Sequence, residues 1–114
     1  MRMPERVNAV SFADESLENA FRELESGKSE DRKLASFIRR AMGDLTKNPF
    51  CGIRIPSKLW PKEYAKKYRI NNLRKYDLPN GWRLIYTLRA SEIEIISVLL
   101  EWFNHNDYER KFHY

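Results

Sequence analysis

From Ile93 to Trp102 the chain reads Ile-Glu-Ile-Ile-Ser-Val-Leu-Leu-Glu-Trp, with aliphatic side chains at Ile93, Ile95, Ile96, Val98, Leu99 and Leu100. Successive residues of a β-strand point to opposite faces, so a strand with apolar neighbours at consecutive positions is apolar on both. Such a strand is expected to lie in the middle of a sheet, covered, rather than at an edge. The 114 residues are enough for one domain with one hydrophobic core, so residues 1–114 are read as a single unit built around that strand.

The segments before it supply the rest of a sheet and its cover. Arg6–Phe12 is short and β-prone, a first strand. Leu17, Ala20, Phe21 and Leu24 then recur at helical spacing, with Ser11 and Asp14 as candidate caps and Gly27 as a stop. Leu34, Phe37, Ile38, Ala41 and Leu45 continue the pattern in a second helix, opened by Ser29 and closed at Asn48-Pro49. The short connection predicts an antiparallel helical hairpin. Phe50–Pro61 is irregular, punctuated by Gly52, Pro56 and Pro61, and Lys62–Tyr68 forms a short helix. A strand over Arg69–Asp77, a turn at Pro79-Asn80-Gly81, a strand over Trp82–Leu88, a turn at Arg89-Ala90-Ser91 and the strand to Trp102 make an antiparallel meander. A final helix over Asn104–Tyr114 places Tyr108 and Phe112 one turn apart. The expected fold is α+β: an N-terminal strand, an antiparallel helical hairpin, a three- to four-stranded antiparallel sheet with helices on one face, and a short C-terminal helix.

Charge is unevenly placed. Residues 1–50 carry nine basic and nine acidic side chains, whereas Arg54–Arg83 carries nine basic ones against Glu63 and Asp77 alone. That density suits an anionic partner, most simply nucleic acid, or a solvated basic surface. Several chemistries are disfavoured. A lone Cys51 forms no internal disulfide, and His105 and His113 lack the spacing of zinc ligands. There is no phosphate-binding glycine loop, no dinucleotide fingerprint and no carboxylate pair for glycoside chemistry. No apolar run is long enough for a membrane span, and Met1-Arg2-Met3-Pro4-Glu5 has no signal-peptide core, so a cytoplasmic location without membrane partners is expected.

What remains is a metal-free, cofactor-free set of arginines and lysines with His105, Tyr108 and Tyr114. Arg83 is the oddest member, a charge between Trp82 and Leu84 in an otherwise apolar strand. Cleavage of RNA through its own 2′-hydroxyl needs a base, cations for the phosphorane and an acid for the leaving 5′-oxygen. Arginine, histidine and perturbed lysine or tyrosine can fill those parts. Each residue also has a plainer role: Arg83 pairing with Asp77 or Glu94, His105 capping the last helix, Tyr108 packing on Phe112. Trp60, Trp82 and Trp102 fit the core or its edge, while Trp82 could instead stack on a base.

The order of elements, with Gly81-Trp82-Arg83-Leu84-Ile85-Tyr86 and Asn104-His105-Asn106-Asp107-Tyr108, resembles the RelE/ParE-type toxins of bacterial and archaeal toxin–antitoxin systems. The resemblance covers nearly the whole chain but rests on short motifs. It implies a RelE-like fold and a metal-independent endoribonuclease that cuts mRNA in association with the ribosome. Arg83 would contact the scissile phosphate, His105 would transfer a proton, and Tyr108 would stack on a base or act in acid–base chemistry. Lys66, Lys67, Arg69, Arg74, Lys75 and Trp82 would bind RNA. An acidic, partly disordered antitoxin would be the partner. The chain departs from the pattern in its longer Leu73–Arg83 hairpin, the tight His105-to-Tyr108 spacing, extra residues around Ser57–Lys67, and a His113-Tyr114 ending that elsewhere directly follows the last strand. The alternatives implied are a ParE-like topoisomerase inhibitor without nuclease activity, or a degenerate member that only binds RNA or protein.

Overall fold

In the computed structural model, which describes residues 6–112, the doubly apolar stretch is strand β5, Glu94–Phe103, and it is internal to the sheet as expected. The elements run β1 (Val7–Phe12), α1 (Glu15–Glu25), α2 (Ser29–Lys47), β2 (Ile53–Arg54), α3 (Lys62–Tyr68), β3 (Arg74–Asp77), β4 (Arg83–Ala90), β5 and α4 (His105–Phe112). Single 3₁₀ turns lie at Ser57–Leu59 and Pro79–Gly81. The sheet order is β1-β5-β4-β3-β2. The described residues thus form an α+β domain with four helices and a five-stranded sheet.

Two features of the sheet correct the expectation of three or four antiparallel strands. The sheet is mixed, because β1 runs parallel to β5, from Val7 opposite Glu94 to Phe12 opposite Leu99. No hairpin joins these two strands, so nothing local dictates their direction. The fifth strand is β2, two residues that pair with Arg74 and Lys75 inside a segment that reads as irregular. Its length is too short for any periodicity to register. The expected strand over Arg69–Asp77 begins only at Arg74, since Arg69 closes α3 in the left-handed region with φ 50°.

The helices also cover both faces rather than one. Ile38, Ala41 and Leu45 of α2 and Phe21 of α1 pack with Leu84 and Tyr86 of β4 and Leu99 of β5. On the opposite face Tyr64 and Tyr68 of α3 and Tyr108 and Phe112 of α4 pack with Ile85, Val98 and Leu100. The second cover follows from β5 itself. Leaving Val98 and Leu100 in water would forfeit roughly 1.5–3 kcal/mol for each. Four aromatic rings, with Tyr108 stacked on Phe112 at 4.8 Å, supply that cover.

A bulge keeps both faces apolar through the end of β5. Ile85 pairs with Glu101 and Tyr86 with Leu99, which leaves Leu100 as an extra residue. Leu100 and Glu101 therefore turn toward the same side. Beyond the bulge Trp102 returns to the α1–α2 face and Phe103 to the α3–α4 face.

Local signals explain the helix ends. Asp14, not Ser11, caps α1, accepting from the Leu17 N–H at 2.8 Å. Ser29 is the first residue of α2, which has no side-chain cap. Asn104 caps α4 by accepting from the Asp107 N–H at 2.8 Å. The Phe50–Gly52 loop is tied to the sheet by the Tyr86 hydroxyl, which donates to the Pro49 carbonyl at 2.9 Å and accepts from the Gly52 N–H at 3.1 Å. The approach at Gly52 is close: a Cβ there would lie 2.5 Å from the Tyr86 hydroxyl and 2.6 Å from the Lys75 carbonyl, so only glycine fits.

Tyr76 links β3 to α2 by donating to Asp44. That bond, with burial second, pushes the Tyr76 pKa up to about 12. The folded state therefore holds the phenol neutral at pH values where the unfolded chain has released its proton. The stability this contributes is complete below the ordinary tyrosine value near 10 and is lost as pH rises toward about 12. Denaturant midpoints measured at about pH 9 and about pH 11.5 should fall further for the wild type than for Tyr76→Phe.

Candidate functional site

The β3–β4 hairpin builds the site. Its connection needs left-handed backbone at two successive residues, Asn80 at φ 62° and Gly81 at φ 80°, and those residue types tolerate it. The Leu78 N–H donates to the Trp82 carbonyl at 2.9 Å and closes the turn. Asp77 then sits opposite Arg83 and Lys75 opposite Ile85. By this parity Lys75, Asp77 and Arg83 share the face that carries α3 and α4. On the other side of Arg83 lies Phe103, the last residue of β5, and the chain passes through Asn104 straight into α4.

Two cations, one carboxylate and one aromatic ring meet there. Lys75 Nζ and Arg83 Cζ lie 5.5 and 5.7 Å from the centre of the Tyr108 ring. Asp77 Oδ1 is 3.3 Å from Lys75 Nζ and 2.9 Å from Arg83 Nε. The Arg83 Nε–H makes no aligned hydrogen bond despite that proximity, and Nη1 donates only to the adjacent Trp82 carbonyl at 3.2 Å. The Arg83 side chain is 19% exposed and that of Asp77 47%. A pair with so exposed a partner is worth at most about 1 kcal/mol. A phosphate offering the guanidinium two aligned bonds is a stronger partner.

His105 opens α4 beside the hairpin turn. A Cβ at Gly81 would lie 3.2 Å from the His105 Cβ, so the turn and the histidine are in contact. The imidazole is 55% exposed, and its Nε2 is 3.1 Å from Glu109 Oε1, one helical turn on. His105 thus sits at the helix start without being its cap, which is Asn104. Tyr108 is only 3% exposed, so its ring is covered by Phe112 and the two cations rather than open to a base.

The other basic candidates are dispersed. Arg74 points to the opposite face, where it donates to the carbonyls of Phe50 at 3.0 Å and Gly52 at 2.7 Å. Trp82 packs on the α1–α2 core. Lys66, Lys67 and Arg69 are exposed around the end of α3. That end meets β4 at Arg89, whose guanidinium donates to the Tyr68 carbonyl at 2.9 Å. Arg89 lies six residue steps along β4 from Arg83, about 20 Å. Of the proposed RNA-binding side chains, then, the structure brings only that of Lys75 to Arg83, the ring of its chain neighbour Trp82 lying on the other face. Glu109, which reads in the sequence as a carboxylate of the last helix's first turn together with Asp107, lies beyond that turn and is instead a neighbour of His105, as their i, i+4 spacing signals. His113 and Tyr114 lie outside the described residues.

Among the described residues no three His, Cys, Asp or Glu side chains are grouped to hold a metal ion, and no helix is long and apolar enough to cross a membrane. Comparison with known proteins finds no match: no family model, no curated protein and no solved structure is similar enough to this chain to identify a relative.

Gly81→Ala places a methyl group at φ 80° and against His105. The strain should cost about 1–2 kcal/mol, seen as a lower thermal midpoint, and the His105 imidazole resonances should shift.

Proposed function

We propose that this protein is a RelE-like toxin, an endoribonuclease that cuts mRNA by attack of the 2′-hydroxyl on the adjacent phosphate. The observation that carries the reading is the meeting of Arg83 and Lys75 over the Tyr108 ring, with His105 against the hairpin turn at Gly81, two residues before Arg83. The order of strand, helical hairpin, sheet and final helix supports it further.

The chemistry assigns each group a part. Arg83 holds the scissile phosphate and balances the charge of the phosphorane, with Lys75 as the second cation. His105, oriented by Glu109, protonates the leaving 5′-oxygen, while solvent accepts the proton of the 2′-hydroxyl. The products are a 2′,3′-cyclic phosphate and a 5′-hydroxyl. Tyr108 serves as the platform on which both cations rest. Asp77 occupies Arg83 when no RNA is bound and yields it to the phosphate. An acidic antitoxin would compete for the same cations, and the ribosome would present the mRNA.

A second reading, a family member that binds RNA or protein without cutting, is favoured by the contact of Asp77 with both cations and by the covered ring of Tyr108. The two differ in one experiment. Induced without an antitoxin, the wild type should arrest growth and leave mRNA fragments ending in 2′,3′-cyclic phosphate. Arg83→Ala should cut purified RNA roughly 10²–10³-fold more slowly. Equal arrest by both proteins, or DNA breaks with intact mRNA, would overturn the nuclease reading. In a titration with short RNA, Asp77→Asn should bind about two- to fivefold more tightly than wild type, since only a weak competing contact is lost.

A further inference from the structure

A basic concavity lies at the other end of α4 from His105. It has a volume of about 390 Å³ and lies between the Ser57–Leu59 turn, the start of α3 and the last turn of α4. Lys58, Lys62, Arg110 and Lys111 line it against the single acid Glu63, with Trp60 in its wall. Lys111 pairs with Glu63 and Arg110 with Asp107. Lys58 and Lys62 make no ion pair among the described residues, and both are exposed. Trp60 is half-buried, and its indole N–H donates to the Ile55 carbonyl at 2.8 Å, which fixes the plane of the ring. The spacing of Lys58, Lys62 and Lys66 suggests one helical face, but Lys58 precedes Pro61 and belongs to the cleft rather than to α3.

We infer that this cleft is a docking site for single-stranded RNA, distinct from the Arg83 centre, in which phosphates contact Lys58 and Lys62 and a base lies against Trp60. The inference rests on the RNA-directed reading above and extends it to a place that the short motifs do not include. A flat aromatic ring held in advance beside unpaired cations suits a nucleotide, which offers one π-face and one negative charge per unit. An acidic peptide would use the cations but has no systematic use for the ring. Position agrees. The cleft and His105 lie at opposite ends of α4, eight residues or about 12 Å apart. A few nucleotides cover that span, so a strand held at Arg83 could continue along α4 into the cleft.

The test uses the full chain with Arg83→Ala, with and without Lys58→Glu and Lys62→Glu, and an oligonucleotide whose 2′-hydroxyls are methylated so that none can attack. Binding of this probe, a fluorescein-labelled 12-residue oligouridylate, is followed by anisotropy across a salt series, and circular dichroism checks that each variant is folded. The charge reversals should weaken binding at least tenfold and lower the salt slope by about 1.4, the share of two phosphate contacts in a single strand. Lys58→Gln with Lys62→Gln should weaken it less but in the same direction. Unchanged RNA affinity, or loss of binding to polyglutamate with RNA affinity intact, would overturn the inference, the latter pointing to an acidic protein. The two proposals fail separately. If Arg83→Ala matches wild type in cleavage and growth arrest while the lysine variants lose RNA, the catalytic reading falls and the docking site stands.

Discussion

The structure depends on the need to cover β5 on both sides. Val98 and Leu100 on one face and Leu99 on the other are buried, so one helical layer does not suffice. The α1–α2 hairpin meets the first requirement with a conventional aliphatic layer. The second is met by two short helices whose contribution is mainly aromatic: Tyr64 and Tyr68 from α3, Tyr108 and Phe112 from α4. Short helices have little stability of their own, and packing of large rings supplies it. Because α4 must lie across the sheet to do this, His105 is delivered next to the hairpin turn and Tyr108 beneath Lys75 and Arg83. The candidate site is thus a by-product of core formation.

Within the site the balance of charges decides what is available. Two cations share one carboxylate, so the cluster keeps a net positive charge even when Asp77 is engaged. The half-exposed Asp77 holds Arg83 weakly, whereas Arg74, bonded to two carbonyls of the Phe50–Gly52 loop, is committed to structure. The sign of a side chain says little by itself. Its neighbours determine whether it can leave them.

Much of this was legible in the sequence because it depends on local rules. The stripes of α1 and α2, the turn at Pro79–Gly81 and the doubly apolar strand each follow from spacing alone. What was not legible depends on pairings without a local signature. The direction of β1 is set by a partner at the other end of the chain, and β2 is two residues long. The basic run from Arg54 to Arg83 is continuous in sequence, yet folding divides it. Arg69 leaves the extended conformation, Arg74 and Lys75 part to opposite faces, and α3 carries Lys66 and Lys67 toward Arg89. Counting back from the turn would have picked Lys75, since alternation puts residues 75, 77 and 83 on one face once Asp77 is set against Arg83.

The parallel pairing of β1 with β5 has a consequence for how the protein is made. Val7 lies opposite Glu94, so β1 waits for a strand made only after α1, α2, α3 and the three other strands. Until β5 is available, β1 has no neighbour, β4 lacks its longest partner and the α1–α2 hairpin has only part of a surface to rest on. Pairings this distant in sequence are slow to close and close late. A nascent chain interrupted before β5 would lack an internal strand of its sheet rather than its margin. Any activity of the α3–α4 face would begin only once β5 and α4 had both been made.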